Sequence, residues 1–268
     1  MNSHKRASPW GALFVACWFC VALNSAVAQN CAVQQVDETA IVGRVVDGDT
    51  LHLQDGRSVR LIGINSPELG YEGRPAEPFA EQARDAFRAM VKPKDKVGLV
   101  YGQEKHDRYR RLLAHVYLSD GKSVEARLLA AGLAAQIVVP PNVGQLDCYH
   151  AAEQRARQAG KGVWSGIYRP IPIEKLAPGT KGFHRVIGRI TRVGYSKNSV
   201  WLNFAGPASV DFRELVAVRI ARKDLPNFTN WQPQSLQGKT VIVRGWVYQY
   251  KHQQVIRVRH PASIEIVR

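Results

Sequence analysis

The sequence of 268 residues predicts an α+β protein made of two small barrels, of which only the first carries helices. Three helical patterns and one group of strand patterns fall within residues 41–159, and a second group of strand patterns follows residue 180. A proline-rich stretch at 171–180 separates the two groups. The composition, 45% hydrophobic and 22% charged, is typical of a globular chain and excludes a mostly disordered one.

The first half combines strands and helices in an order that favours a barrel with helices packed against it. Turn signals at Asp55-Gly56 and Asp120-Gly121 separate neighbouring strands. β-Branched or alternating apolar residues predict five strands, at 41–46, 50–53, 58–64, 97–101 and 112–118. Apolar residues on one helical face, closed by Lys92-Pro93 or by glycine, predict three helices, at 79–91, 123–131 and 147–159.

The second half contains strand patterns and no convincing helical pattern. Five strands are predicted, at 186–193, 199–204, 215–220, 240–248 and 254–259. Five short strands in fewer than a hundred residues are typical of a small closed barrel such as an OB-fold. We expect Trp201 and Trp246 to lie in its core, because both fall inside apolar strands.

The formal net charge of +15 is distributed unevenly between the predicted domains. Residues 29–170, the first domain, carry a net charge of +2, whereas residues 171–268 carry +11. The latter comprise a linker at 171–180 and a basic domain at 181–268. This excess indicates a polyanionic partner, and tethering of nucleic acid competes with a barrel that is basic without that role.

Residues 1–28 have the pattern of a secretory signal peptide. Lys5 and Arg6 precede an apolar run of 14 residues at 10–23, and Ala26-Val27-Ala28 is a cleavage motif. A retained membrane anchor is the alternative, but the run is short against the ~20 residues that a spanning helix needs. We therefore expect a secreted or periplasmic protein with no membrane span after cleavage.

Cleavage would leave Cys31 and Cys148 as the two cysteines of the mature chain. Two cysteines in an exported protein suggest one disulfide bond, and two free thiols are the alternative. The pair is too small and too far from paired histidines to indicate a zinc site.

Three segments carry residues suited to chemistry on phosphates. Asp47 and Asp49 lie in a turn between strands and offer oxygens to a hard cation, although Asp-Gly is mainly a turn signal. Arg60 interrupts an apolar strand, either paired in the core or facing a cleft, and Glu68 follows a proline just past the strand end. The third segment, 106–111, suits phosphate binding or is simply a solvated charged loop.

Taken in order, these segments resemble the staphylococcal nuclease (thermonuclease) family. The matching residues are Asp-Gly-Asp-Thr at 47–50, Arg-Leu-Ile-Gly-Ile-x-x-Pro-Glu at 60–68 and Asp-x-Tyr-x-Arg at 107–111. The resemblance spans residues 42–165. It implies an OB-fold barrel with helices, and Ca²⁺-dependent cleavage of DNA, and of RNA too, to products with a 3′-phosphate. We expect the protein to act as a monomer.

The resemblance also assigns roles to individual residues. Asp49 matches the principal metal ligand of the family, with Asp47 close to the metal. Arg60 and Arg111 match the arginines that hold the phosphate, and Glu68 matches the general base for the attacking water.

Other residues match binding positions or depart from the pattern. Tyr109 matches a tyrosine that touches a substrate phosphate, and the neighbouring Arg108 is a further substrate-binding candidate. The second metal-ligand carboxylate is replaced by Asn65, which lowers the expected Ca²⁺ affinity. The alternatives are a different divalent ion, or metal binding only when a substrate phosphate completes the coordination shell. Residues 136–141 lack the tyrosines that line a nucleotide pocket in the best-known member of the family.

The sequence is consistent with three functions. The leading one is an exported, metal-dependent endonuclease whose basic second domain raises substrate affinity. A nucleic-acid-binding protein that has lost catalysis is the second, favoured by Asn65. An envelope protein that binds anionic glycans or lipids through its basic half is the third.

Overall fold

The computed structural model describes residues 31–71, 73–204, 216–229, 231–250 and 253–267. The predicted signal peptide, 1–28, lies outside these residues. The first half contains, in chain order, β1 (Glu38–Val45), β2 (Thr50–Leu53), β3 (Ser58–Leu61), β4 (Ile64–Asn65), α1 (Ala80–Met90), β5 (Lys96–His106), β6 (Leu112–Tyr117), α2 (Val124–Ala130), β7 (Ala135–Gln136) and α3 (Leu146–Gln158).

Five of these strands close into a barrel in the order β1–β2–β3–β6–β5. Its pairs are antiparallel except β3 and β6, which run parallel, and β4 pairs separately with β7. Buried side chains fill the barrel, Leu51, Val59 and Leu99 among them. Helix α1 buries Ala83 and Phe87, so the helix predicted from the apolar periodicity is confirmed. The predicted five-stranded barrel with three helices is confirmed as well.

A polar cluster lies inside this first half, between β6, α2 and α3. The Glu125 side chain accepts hydrogen bonds from the backbone N–H of Val116 at 2.8 Å and from the Ser123 hydroxyl at 2.7 Å. The Tyr149 hydroxyl lies 2.9 Å from Nδ1 of His115 and 3.2 Å from Oγ of Ser123. Burial raises the pKa of Glu125 to about 7 and lowers the pKa of His115 to about 4.

The predicted disulfide bond is present. Cys31 and Cys148 are joined across 117 positions of sequence, with their Cα atoms 5.7 Å apart. The bond fastens the segment before β1 to helix α3.

The second half is a barrel of strands, as predicted. Its strands are β8 (Ile171–Pro172), β9 (Gly182–Tyr195), β10 (Ser199–Phe204), β11 (Ala217–Ala221), β12 (Thr240–Tyr250), β13 (Gln253–Arg257) and β14 (Ile264–Ile266). The order β9–β10–β11–β13–β12 closes because β12 also pairs with β9, while β8 and β14 extend its edges. Leu215, the first residue of the predicted third strand, lies outside the described residues.

The expectation that Trp246 lies in the core of this barrel is wrong. Its side chain is 42% exposed, because odd and even positions of β12 point to opposite faces and the apolar core takes Val243 and Val247. Trp201 is half-buried.

Charged side chains join the two barrels. Arg244 of β12 donates hydrogen bonds to both carboxylate oxygens of Glu153 of α3, at 2.8 and 2.9 Å, and to Glu265 at 2.5 Å. Arg157 and Arg185 also contact Glu265, at 2.9 and 3.3 Å. Glu153 is fully buried and Arg244 nearly so, so this network is an internal part of the fold.

Aromatic rings form a second connection between the barrels. Trp164, Tyr168, Phe183 and Trp246 make successive edge-to-face contacts, with centroid separations of 5.6, 5.5 and 5.4 Å. Such contacts favour a fixed arrangement of the two barrels. None of the helices in the described part of the chain has the length and apolar character needed to cross a bilayer.

Candidate active site

The turn between β1 and β2 carries the two aspartates. The backbone N–H of Asp49 donates to the Asp47 carboxylate at 2.9 Å, and the buried Asp49 carboxylate accepts from the N–H of Ser66 at 2.8 Å. Gly48 is required between them, since a Cβ there would lie 2.6 Å from Cβ of Ser66 and 2.7 Å from Cβ of Ala83. The turn is thereby held against the residues that follow β4.

The electrostatics of this turn favour a bound cation. Burial, together with the negative charge of Asp49, raises the pKa of Asp47 to about 6. Asn65 is buried at the end of β4, next to Ser66, which contacts Asp49. Asp47, Asp49 and Asn65 thus offer two carboxylates and an amide oxygen, which are the donors that a hard divalent ion prefers. No cluster of three or more His, Cys, Asp or Glu side chains suited to a metal is present in the described ranges.

Arg60 lies on β3, where its side chain is only 12% exposed. One terminal nitrogen is 3.1 Å from the Asp49 carboxylate, and the other donates to the carbonyl of Leu61 at 2.7 Å. The guanidinium also lines a cavity, so it is both paired and accessible to a ligand. Arg60 is therefore paired in the interior and also faces a cleft, so both alternatives that the sequence left open apply.

Glu68 lies in the loop after β4, where the residue keeps access to solvent although protein atoms surround part of its carboxylate. Its backbone N–H donates to the Glu77 carboxylate at 3.0 Å and its carbonyl accepts from the N–H of Glu77 at 2.9 Å. Desolvation, followed by the negative charges of Asp49 and Asp47, raises the pKa of Glu68. A carboxylate with a raised pKa beside other acidic groups is suited to accept a proton.

The loop between β5 and β6 positions the other predicted phosphate-binding residues. Asp107 accepts from the backbone N–H of both Tyr109 and Arg111, at 2.9 Å each, and from Nε of Arg111 at 2.8 Å. The guanidinium carbons of Arg108 and Arg111 lie 4.7 and 5.6 Å from the centre of the Tyr109 ring. Tyr109 itself is 65% exposed, so the ring presents both cations at the surface.

A cavity of about 750 Å³ between the barrels brings these groups together. Arg60, Arg108, Tyr109 and Arg111 line it from the first barrel. Its lining within the described residues includes seven arginines and two carboxylates; the arginines are Arg60, Arg108, Arg111, Arg219, Arg244, Arg257 and Arg259. Such an excess of cations attracts a polyanion.

A neighbouring cavity of about 610 Å³ holds the remaining candidates. Asn65 and Glu68 line it, together with Lys181 and Phe183 from the second half. Asp47 and Asp49 line neither cavity; Asp49 reaches the first only through its contact with Arg60. Phe183 and Trp246 line both cavities and so lie at the boundary between them.

The sequence predicted that the second barrel raises substrate affinity, but it placed Trp246 in the core and did not show that Trp246 and Arg219 reach this site. Trp246 and Tyr248 of β12 and Arg219 of β11 line the first cavity opposite the predicted residues. The available signal was the alternation of Trp246, Tyr248 and Tyr250 along one strand, which places the three side chains on one face.

An OB-type barrel that presents two ion-paired arginines and a buried carboxylate beside a cationic cavity is suited to the phosphate groups of a polyanion. Comparison with known proteins makes this assignment specific. Residues 58–166 match the family model described as "Staphylococcal nuclease homologue". The chain belongs to the staphylococcal nuclease family.

Individual relatives support this assignment. The thermonuclease of Staphylococcus hyicus is 34% identical over 133 residues, which are 48% of this chain and 77% of that protein. Endonuclease YncB of Bacillus subtilis is 34% identical over 127 residues, 46% of this chain and 59% of that protein. Endonuclease YhcR of the same organism is 28% identical over 180 residues, which are 62% of this chain but only 15% of that much longer protein.

Proposed function

We propose that the protein is an exported, metal-dependent endonuclease that hydrolyses phosphodiester bonds of DNA, and of RNA, to products ending in a 3′-phosphate. Membership of the family makes it a nuclease, that is, a phosphodiester hydrolase. The observation that carries the proposal is the shared cavity of Arg60 and Arg111, with Arg60 paired to the buried Asp49.

The arginines supply the charge that the reaction needs. A phosphodiester gains negative charge as water adds to phosphorus, and guanidinium groups donate paired hydrogen bonds to such oxygens. Arg60 is held by Asp49 and Leu61, and Arg111 by Asp107, so both donors are positioned before substrate binds. Tyr109 and Arg108 hold an adjacent phosphate at the mouth of the same cavity.

Glu68 takes the proton from the attacking water, for which its raised pKa suits it. Asp47, Asp49 and Asn65 hold the divalent ion, Ca²⁺ or another ion that tolerates an amide ligand. The chemistry that such an ion supplies when bound is polarisation of a phosphoryl oxygen. The 5′-oxygen leaves, and the phosphate stays on the 3′ side.

The second barrel tethers the substrate strand. The net charge of +11 on residues 171–268 supports this role, as do the arginines and aromatic rings that it places around the cavity. Export to the periplasm or the medium is supported by the sequence of residues 1–28 and by the disulfide bond, which persists in oxidising compartments. We propose that the protein acts as a monomer.

The test is cleavage of single- and double-stranded DNA by the purified protein with Ca²⁺, Mg²⁺, Mn²⁺ or EDTA. We expect cleavage with at least one ion, none with EDTA, and 3′-phosphate ends by mass spectrometry. Arg111→Ala should lower the rate at least roughly 100-fold. Arg110→Ala is the matched control, since this neighbouring arginine is exposed and lines neither cavity.

A nucleic-acid-binding protein without catalysis is the second candidate, and Asn65 favours it by removing one ligand charge. Asn65→Asp separates the two. Binding without cleavage in the parent protein, under every ion, would support the second candidate. Cleavage by the parent protein supports the nuclease, and Asn65→Asp should then lower the ion concentration that cleavage requires.

A further inference from the structure

An aromatic stripe runs along the outer face of β12. Trp246 is 42% exposed and Tyr250 is 37% exposed, and Tyr248 lies between them in partly buried form. Alternate residues of a strand lie on one face, roughly 6.6 Å apart. Single exposed rings are common on protein surfaces, but a contiguous row of them is typical of a binding surface.

The stripe begins at the catalytic cavities. The Trp246 ring lines both the cavity of Arg60 and Arg111 and the cavity of Glu68, and Tyr248 lines the first. Phe183 contacts Trp246 edge-to-face, with the ring centres 5.4 Å apart, which limits the freedom of the indole.

Apolar side chains of the first barrel line another part of this cavity. Ile137, Val138 and Val139 of the first barrel form it, within the segment that supplies no tyrosine. Aliphatic side chains and the indole of Trp246 are suited to contact a flat, uncharged group rather than a phosphate. The cavity thus has a cationic part and an apolar, aromatic part.

The stripe continues at Tyr250, next to the ring of Trp201 and to Arg219, which also lines the first cavity. The guanidinium carbon of Arg219 lies 5.2 Å from the centre of the Tyr250 ring and 5.8 Å from that of Trp201, and the two rings are 5.9 Å apart. Nε of Arg219 also donates to the Ser199 hydroxyl at 2.8 Å, which holds the side chain in place. Alternating rings and cations are the elements that bind the bases and backbone of single strands.

We propose that Trp246 and Tyr248 form a nucleobase-binding subsite, in which an unpaired base of the substrate strand stacks on Trp246 next to the phosphate held by Arg60 and Arg111. The inference rests on the proposed function, whose site it extends onto the second barrel. This barrel supplies the aromatic contact that residues 136–141 lack. A base within a duplex has its faces covered by its neighbours, so the subsite takes a base that has left the stack.

The experiment compares base contacts one position at a time. A thymidine dodecamer and a series in which each position in turn is abasic are bound to the Glu68→Gln protein, which keeps the strand intact. Removing the base at one or two positions should weaken binding roughly 10-fold, the effect expected for one stacked base. Adding Trp246→Leu should abolish this positional effect, whereas Trp246→Phe should retain most of it.

Tyr195→Leu is the matched control. Tyr195 is 60% exposed on β9 of the same barrel and lines neither cavity, so its removal should leave the abasic profile unchanged. An abasic profile that is flat in the Glu68→Gln protein, or unaltered by Trp246→Leu, would overturn the subsite. Thermal unfolding of each variant shows whether it is folded.

Cleavage by the wild-type protein separates this inference from the proposed function. If the wild-type protein cleaves DNA and Trp246→Leu leaves the abasic profile intact, the subsite is refuted and the nuclease stands. If the profile depends on Trp246 but the wild-type protein cleaves under no divalent ion, the subsite stands and the catalytic proposal fails.

Discussion

The ion pair between Arg244 and Glu153 offers the clearest prediction about how the two barrels are held together. Arg244→Met keeps much of the volume of the side chain and removes its charge. The buried Glu153 carboxylate then keeps one short hydrogen bond, from the backbone N–H of Gln136 at 2.6 Å. Its nearest remaining cation is the Arg157 guanidinium, 3.7 Å from one carboxylate oxygen. Breaking a buried pair from one side costs about 3–5 kcal/mol.

We expect a loss near the lower end of that range, about 3 kcal/mol, since Arg157 partly compensates the charge of Glu153. Urea unfolding followed by far-UV circular dichroism measures it. For a chain of this size the melting temperature should fall by roughly 10 °C. Tryptophan fluorescence, recorded in parallel, tests whether the two barrels still unfold in one transition.

A second substitution tests the reasoning. Glu153→Gln in the Arg244→Met background removes the unpaired buried charge, so the double variant should be more stable than the single one by about 1–2 kcal/mol. The account is refuted if Arg244→Met costs less than about 1 kcal/mol, or if Glu153→Gln lowers the stability of the Arg244→Met protein further.

Three further predictions concern stability. Burial raises the pKa of Glu125 to about 7, so the stability that this group contributes is present below pH 4.5 and is lost as the pH rises through 7. Glu125→Gln should therefore raise the free energy of unfolding by roughly 3 kcal/mol at pH 8 and change it little at pH 4.5, as measured by urea unfolding. Burial acts to raise the pKa of Glu265, but the charges of Arg244 and its neighbours outweigh burial and lower this pKa to about 2. The stability that Glu265 contributes is therefore present above pH 4.5 and is lost as the pH falls through 2. Glu265→Gln should lower the free energy of unfolding by on the order of 3 kcal/mol above pH 4.5, and this loss should shrink as the pH falls from 4.5 to 2. Replacing Cys31 and Cys148 by serine should cost about 2–4 kcal/mol, and reduction of the parent protein should produce a similar loss; an unchanged unfolding midpoint in either experiment would contradict the structural role of the bond.

The sequence was sufficient to predict the main strands and helices of both barrels, because the patterns that indicate them involve residues close together in the chain. The apolar face of α1, with Ala83 and Phe87 inward, is set by helical periodicity alone. The turn with Asp47 and Asp49 could be placed between two strands because Asp-Gly turns and β-branched runs are short-range features.

The contacts between the second barrel and the first could not be predicted in the same way. Arg244 and Glu153 are 91 positions apart, and no local pattern shows that they meet. Trp246 looked like a core residue because it lies in an apolar strand, yet the face it occupies borders a cavity against the first barrel. Contacts that depend on how two barrels dock are properties of the tertiary structure.

The measurement that tests the central claim most directly compares the Glu68→Gln protein with the wild-type protein in binding and in cleavage of the same single-stranded DNA. The account predicts that Glu68→Gln binds with unchanged affinity and cleaves at least roughly 100-fold more slowly in the presence of the activating ion. Glu81→Gln, an exposed position on α1, should behave as wild type in both assays. Equal cleavage by the Glu68→Gln and wild-type proteins, or no metal-dependent cleavage by the wild-type protein, would contradict it.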